Sequence, residues 1–497
     1  MAIFSVVLAA VVVSLTIVAY LLKTLPAFRR STLSGPKGIP FIGNLHQVFD
    51  SKPFVTFANW AKTYGDIFYL RLGHRNVIVI NSIEAARETL VNNGKAFSGR
   101  PDFYTMSVLH EQERRFVFCE SHDDILKLYR KTVLMDMRKR LQSLGTFVRD
   151  EIDKMALKIF STDSVEQVLD MREHIHKLAA NVAHAYAFGR TYDLDDPKLK
   201  CWMSALAQYR ELLHWFRYEN FLPLNQLFAA DFHTKAKQFR ENTLPLYTVN
   251  IERAKLSKST HSDEDDNGLL GTLLDMLEGD GLPKILTDSD IISVLRDVMF
   301  GGSDGAFQPL IWILMYVAKD MKIQEEIYSE ICSVIGPSRM PELSDRESMP
   351  YVEATIREVL RHSEITSLGI PRSTVKDVTI FGHKIPKDTL TIVNVYSIHR
   401  DECHWQEPFK FRPSRFLDND NELLPTSKLS YLPFSAGQRS CVGQNVARAN
   451  LFLLFVRFFQ KFRVSPADEE IPEKINSGGS FNPDLKPFKI TLKSRKI

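Results

Sequence analysis

Residues 433–443 read Pro433-Phe-Ser-Ala-Gly-Gln-Arg-Ser-Cys-Val-Gly443, and an apolar run from Val446 to Phe459 follows them. This is a glycine-punctuated loop leading into a helix. A thiol at a helix N-terminus lies at the positive end of the dipole, among N–H groups with no intrahelical partner, so its thiolate is favoured. Cys441 is therefore a candidate metal ligand. Gly437 and Gly443 omit side chains where the loop must turn sharply or lie against something flat, and Arg439 fixes a positive charge two residues before the thiol. A planar dianion fits that arrangement, with Phe434 screening the sulfur from water. The alternative for Cys441 is a buried structural thiol behind an ordinary loop. That reading leaves the spacing of the other residues unexplained.

The pattern Phe434-x-x-Gly437-x-Arg439-x-Cys441-x-Gly443 resembles the haem-binding signature of the cytochrome P450 family at every fixed position. Upstream, Glu358 and Arg361 stand three apart on a helix whose core face is Val352, Ile356, Val359 and Leu360. Alone, such a pair reads as a surface salt bridge of small energy. Phe411-Arg-Pro-Ser-Arg-Phe416 carries the family's Pro-x-Arg-Phe element, so the resemblance implies that Arg415 joins Glu358 and Arg361 in a buried network. Further matches are the hinge from Pro36 to Gly43, Pro371-Arg372, and His399-Arg-Asp401 ahead of Trp405. The resemblance implies a mainly α cytochrome P450 fold with a smaller β-rich region, binding haem b with its iron on the Cys441 thiolate. It also implies that Arg372 and Arg439 hold the propionates. Where the family carries a Trp-Arg pair, this chain has Leu126-Lys127 with Arg130 close behind, and Lys127 and Arg130 take that place.

The 497 residues have an ordinary globular composition, with Lys+Arg 63 against Asp+Glu 60 and a net charge of +3. Without a dense basic block, nucleic acid is excluded as a partner. The five cysteines are scattered and form no C-x-x-C pair, which suits a reducing, cytosol-facing body. Ala2 to Leu22 holds no charged side chain and is long enough to span a bilayer. A cleaved signal peptide would begin with a basic stretch and have a shorter apolar core. Lys23, Arg29, Arg30 and Lys37 follow before the first acid, Asp50, which places the body on the cytosolic side of a single-pass endoplasmic reticulum protein. Ser34-Gly-Pro-Lys-Gly-Ile-Pro40 forbids a continued helix. The expected organisation is an anchor over 1–24, a Pro/Gly-rich hinge over 25–40 and a haem-thiolate catalytic domain over 41–497.

Within that domain, apolar residues three and four apart predict helices over Ile125 to Val148, Met171 to Phe188 and Asp320 to Ile335. Alternating and β-branched runs predict strands within Ile67 to Ile80 and Thr374 to Val395, and the polar run Lys255 to Gly268 reads as an exposed loop. Thr287-Asp-Ser-Asp290 caps a further helix that meets Phe300-Gly-Gly-Ser-Asp-Gly-Ala306, where each glycine costs about 1 kcal/mol relative to alanine. From the residues alone this is either a turn between two helices, with Pro309 opening the second, or one continuing helix.

The resemblance aligns this segment with the helix over the distal haem face, where the family has Ala/Gly-Gly-x-Asp/Glu-Thr-Thr/Ser. Asp304 keeps the acid, while Gly305 and Ala306 replace both hydroxyl residues. Oxygen activation needs protons on that side. They come from Asp304 through water in the Gly305 gap, or from a substrate hydroxyl or amide, or ordinary oxygen cleavage is not required. By alignment the pocket comprises Phe103, Tyr104, Met106, Phe300, Ser303, Leu368 and Phe481, whose aromatic content suits a flat or aromatic hydrophobic substrate.

The expected reaction is monooxygenation, by hydroxylation or epoxidation, with electrons from NADPH-cytochrome P450 reductase docked on Lys127, Arg130, Lys131 and Arg448. A fungal character of the whole sequence points to secondary metabolism. The alternatives are oxidative coupling, rearrangement or dehydration without net oxygen insertion, and a non-catalytic haem- or ligand-binding membrane protein.

Overall fold

Helices make up most of the computed structural model, which describes residues 11–12, 14, 32–49, 52–111, 116–120, 123–160, 165–259, 266–278, 287–305, 308–467, 475–476 and 484–495. In chain order the principal helices are α1 (Pro53–Tyr64), α2 (Asp124–Lys139), α3 (Leu141–Ile159), α4 (Arg172–Phe188), α5 (Pro197–Leu212), α6 (Ala230–Ser259), α7 (Asp288–Phe300), α8 (Gln308–Lys319), α9 (Met321–Val334), α10 (Pro350–His362) and α11 (Gln444–Lys461). The strands are β1 (Ile67–Leu72), β2 (Arg75–Ile80), β3 (Glu166–Leu169), β4 (Arg372–Ser373), β5 (Val378–Ile380), β6 (His383–Ile385), β7 (Leu390–Val393), β8 (Phe462–Pro466), β9 (Ile475–Asn476), β10 (Asp484–Leu485) and β11 (Ile490–Ser494). The architecture is mainly α with a smaller β-rich region.

Three helices are apolar on nearly every side and form the centre: α8, buried from Gln308 to Ala318; α4, buried from Lys177 to Phe188; and α11, buried from Ala449 to Gln460. Helix α3 packs against both α4 and α11. Outer helices keep one charged face and are capped by short polar side chains. Asp320 accepts from the N–H groups of Lys322 and Ile323 to start α9, and Thr287 and Asp290 form a reciprocal capping box on α7.

The main sheet has the order β1-β2-β7-β4. Its β1–β2 hairpin pairs Ile67 with Ile80, β2 runs parallel to β7 with Val77 opposite Leu390, and β4 sets Arg372 opposite Thr391. Both predicted β regions are therefore present, one joined to the other across the sheet. A second sheet, β3-β11-β8, closes the far end beside α11.

Three expectations are corrected. The helix expected from Ile125 to Val148 is two, broken at Arg140 (φ −91, ψ 1). The Arg140 guanidinium bonds Asp136 one turn earlier, Asp266 and the Gly268 carbonyl, tertiary contacts that periodicity does not register. The loop expected from Lys255 is helical as far as Ser259, held by the Lys255–Asp288 ion pair. Residues 301–305 neither break nor continue the α-helix but form a π-helical turn after α7, and Pro309 then stands at the second position of α8. No helix among the described residues is long and apolar enough to cross a membrane, and the span expected at Ala2 to Leu22 lies outside them apart from residues 11–12 and 14.

Glu358 and Arg361 are fully buried, with Arg361 donating to both Glu358 oxygens at 2.7 and 2.8 Å. Arg415 adds a contact to Glu358 at 3.1 Å, and the Arg412 N–H adds another at 2.9 Å. The pair is a core feature, not a surface salt bridge. We expect Glu358→Gln, which leaves the Arg361 charge buried without its counterion, to cost about 3–5 kcal/mol of folding stability. Urea unfolding checks this against Lys127→Ala, and equal midpoints for the two variants would mean that the network is dispensable.

Candidate active site

Four arginines and one cysteine converge on a cavity of about 290 Å³ between α7, α10, α11 and the 433–443 loop. Each cation arrives on a different element. β4 delivers Arg372, whose Nη2 donates to Ser435 Oγ and the Ala436 carbonyl, both at 2.9 Å. A short 3₁₀ turn at Gly437–Arg439 delivers Arg439, which donates to the carbonyls of Ser98 and Cys119. Arg130 reaches in from α2 and donates to the Ser440 carbonyl at 2.8 Å. Arg100, which follows the bridge between Gly99 and Ser373, donates to the carbonyls of Val117, Ile370 and Pro371.

All of these bonds are to neutral oxygens, so the positive charges weigh on one another. Burial and the neighbouring arginines pull Arg372 down to about 9 and hold Arg100 well below the usual guanidinium range. Arg439 falls to about 10, chiefly through burial. One nitrogen of Arg372, Nη1, is buried without an acceptor. Several confined cations, an orphaned donor and a thiol on the same cavity fit a planar dianion bound through sulfur.

The cysteine loop is shaped by backbone constraints. Gly437 has φ +70, and a Cβ there would stand 1.8 Å from the Leu90 carbonyl oxygen, so close approach to the chain near Leu90 is what excludes a side chain. The Cys441 N–H donates to the Phe434 carbonyl at 2.9 Å and closes the loop. Cys441 keeps exposed surface and is one of the residues lining the cavity. Burial pushes its thiol up, against opposing pulls from the Gly443 N–H and Arg130. Helix α11 begins three residues later, at Gln444, so the backbone donor that favours the thiolate here is the Gly443 N–H ahead of the helix.

A sequence model of the cytochrome P450 family matches residues 33–492. The chain belongs to the cytochrome P450 family. It is 30% identical to steroid 17-alpha-hydroxylase/17,20 lyases from Squalus acanthias (96% of each chain covered) and Mesocricetus auratus (97% of each). It is 29% identical to cytochrome P450 1A1 from Limanda limanda over 93% of this chain and 90% of the relative. As a cytochrome P450 it is a haem monooxygenase whose cofactor carries iron on an axial cysteine thiolate.

Around the cavity of this cytochrome P450 the structure brings together Cys441, Arg439, Arg372, Arg130, Phe434, Gly443, Gly305, Phe300 and Leu368. Gly437 shapes the loop from outside the cavity lining. Lys127 does not take part, since it lies on the exposed face of α2 in an ion pair with Asp124. The expected docking patch is divided. Lys127 and Lys131 face solvent, Arg130 turns inward, and the Arg448 guanidinium lies 5.1 Å from the Phe434 ring centroid.

Three of the aligned pocket residues are spent on packing. Phe103 lies against Trp215 and Phe221, Met106 is buried in the same aromatic cluster, and Ser303 donates to the Met299 carbonyl of its own helix. Tyr104 is half-exposed and bonded to His233. Phe481 and the Asp304 side chain lie outside the described residues.

Arg100 and Asp297, both on the cavity wall, went unread in the sequence. No spacing marks either one. Gly-Arg-Pro at 99–101 is an ordinary turn signal, and Asp297 looks like the polar face of an amphipathic helix. We expect Gly437→Ala to lower the thermal unfolding midpoint and the haem content of the purified protein, while Gln438→Ala changes neither. A Gly437→Ala protein with wild-type haem content would show that the loop can form with the Leu90 carbonyl displaced.

Proposed function

We propose that Cys441 is the axial ligand of the haem iron and that Arg372, Arg439, Arg130 and Arg100 take up the propionates. The convergence of these cations on one thiol-bearing cavity, with Arg372 Nη1 still short of an acceptor, carries the assignment. Bound there, haem supplies the activation of dioxygen for insertion of one oxygen atom into the substrate.

The chain's own residues supply position and environment. Phe434 and Pro433 line the space beside the thiol and limit the access of water to it. On the α7 side Gly301 and Gly305 leave open room, for a Cβ built at either meets nothing within 4 Å. Asp304 is the proton donor, working through water held in the space that Gly305 leaves.

The substrate is a hydrophobic, flat or aromatic small molecule, because Phe116, Phe118, Phe300, Leu368 and Ile370 line the remaining wall. Electrons come from an NADPH-dependent cytochrome P450 reductase. The chain is organised as an anchor over 1–24, a hinge over 25–40 and a catalytic domain over 41–497 on the cytosolic face of the endoplasmic reticulum. The uncharged stretch Ala2–Leu22 and the basic residues after it support this. A role in secondary metabolism rests on the character of the sequence alone.

Cells supplying the reductase and labelled dioxygen should form a product that carries one labelled oxygen, and Cys441→Ala should abolish both the product and the thiolate-type spectrum of the reduced carbon monoxide complex. A Cys441-dependent product without label would indicate coupling or rearrangement. Gly305→Thr should load haem and keep or raise the product formed per reductant consumed, while Asp304→Asn should slow turnover several-fold. Loss of substrate binding in Gly305→Thr would assign the gap to the substrate, and unchanged turnover in Asp304→Asn would remove the acid from proton delivery.

A further inference from the structure

Two buried proton acceptors lie beside oxidisable rings on a line that leads out of the cavity. The first is Asp136. Its Oδ1 accepts from Arg140 at 2.9 Å and from Thr272 at 2.7 Å, while Oδ2 is buried without a hydrogen bond among the described residues. Beside it stands Tyr186, which lines the cavity and whose hydroxyl is likewise buried outside hydrogen-bond geometry. Burial and the nearby Asp136 charge raise the pKa of that phenol. The second acceptor is His184. Its Nδ1–H donates to the Arg190 carbonyl at 2.8 Å, which leaves Nε2 as an acceptor, buried without a donor. Burial pulls the ring down to about 4, so it is neutral. His184 lies between Trp202, 5.6 Å away between ring centroids, and the half-buried Tyr192, 4.5 Å away.

Helix α4 joins the two places. Tyr186 faces the cavity, whereas His184 and Phe188 lie against Trp202 of α5, both at 5.6 Å. Residues two apart on a helix project about 200° from each other, so Tyr186 and Trp202 stand one helix diameter apart, about 10 Å. All of these rings except Tyr192 are buried, and Tyr192 is where the line reaches the surface. An unfilled acceptor in a core is costly and needs a reason. Tyrosine and tryptophan are the most readily oxidised rings in a protein, and each becomes strongly acidic on losing an electron. A base without a donor beside the ring is what such an oxidation requires, and both Tyr186 and Trp202 have one.

We propose that Tyr186, Trp202 and Tyr192 conduct electrons from a soluble thiol at the surface to the haem, so that the protein reduces hydrogen peroxide when no substrate is bound. This rests on the assignment of haem to Cys441 given above. For each electron delivered, Tyr186 gives the electron and lends its hydroxyl proton to Asp136 Oδ2 until Trp202 refills it. Trp202 lends its ring proton to His184 Nε2 until Tyr192 refills it. Tyr192 releases its own proton to solvent, and a thiol restores it with one electron and one proton. Over two electrons, two thiols join as a disulfide, and hydrogen peroxide takes up two electrons and two protons and leaves as two waters.

The test exposes the haem-loaded, substrate-free protein to hydrogen peroxide, with glutathione as the thiol, and in a parallel sample to peroxide with a nitrone spin trap. Glutathione should slow the bleaching of the haem absorbance several-fold in the wild-type protein, and peptide mapping should find the trap on Tyr192. In Trp202→Phe the protection by glutathione should be lost and the trap should move to Tyr186, while Trp60→Phe, in α1 away from the line, behaves as wild type. Equal protection in the wild-type and Trp202→Phe proteins, or a trap position that this substitution leaves unchanged, would overturn the proposal. Tyr192→Phe, at the half-buried end, gives the same comparison if Trp202→Phe does not retain haem, and it too should lose the protection. Absence of the thiolate-type carbon monoxide spectrum from the wild-type sample would instead count against the Cys441 assignment, which separates failure of the haem site from failure of the electron path.

Discussion

The Arg361 guanidinium, with no exposed surface, holds the cysteine side of the molecule in place. It donates to both oxygens of Glu358 and to the carbonyls of His399 and Pro408, and it lies 5.1 Å from the Trp405 ring centroid. Burying a charge this completely is costly unless every donor is used. Here the donors are used on the meander that leads to the cysteine loop. His399 passes the constraint on, for its Nε2 accepts from the Leu432 N–H at 2.8 Å, and burial holds its pKa well below the usual histidine range so that it remains a neutral acceptor. Leu432 opens the segment whose Phe434 carbonyl receives the Cys441 N–H. A helix far from the cavity in sequence thus fixes where the thiol stands.

Electrostatics above the thiol have the opposite character. Under the loop Arg361 and Arg415 share the Glu358 carboxylate, whereas Arg100, Arg130 and Arg372 donate to neutral oxygens beside Arg439, and Arg100 and Arg372 are lowered by their arginine neighbours as well as by burial. Such a gathering of cations favours a shared anion, and in the proposed assignment the haem would act there as a counterion as well as a reactive group. On the α7 side the chain departs from the family pattern. The π-helical turn at 301–305 and the vacant side-chain positions of Gly301 and Gly305 leave open space where the family pattern has a threonine, and one turn earlier Asp297 lies on the same wall.

The cysteine loop, the Glu358–Arg361 pair, the capping box at Thr287 and the two β regions could be read from the sequence because each depends on short-range chemistry: fixed spacing, a helix period, a cap or a turn. The four-arginine cluster was legible only in part. Arg372 and Arg439 sit inside recognisable motifs, but Arg100 reaches the cavity through a backbone bridge between Gly99 and Ser373, and Lys127 and Arg130, three residues apart on α2, point to opposite environments. Alignment placed Phe103 and Met106 in the pocket, yet the bulky aromatic rings of Trp215 and Phe221 stand against Phe103 and absorb both residues into a packing cluster.

By itself the sequence determined the family and hence the haem, and it singled out Cys441 as the candidate ligand, because the cysteine loop and the Glu358–Arg361 pair are each encoded at fixed short spacing. Tertiary structure alone decided which cations share the cavity, which aromatics line it, and that Asp297 lies on its wall. Those facts depend on the rotation of each helix and on contacts between segments hundreds of residues apart, which no local period records.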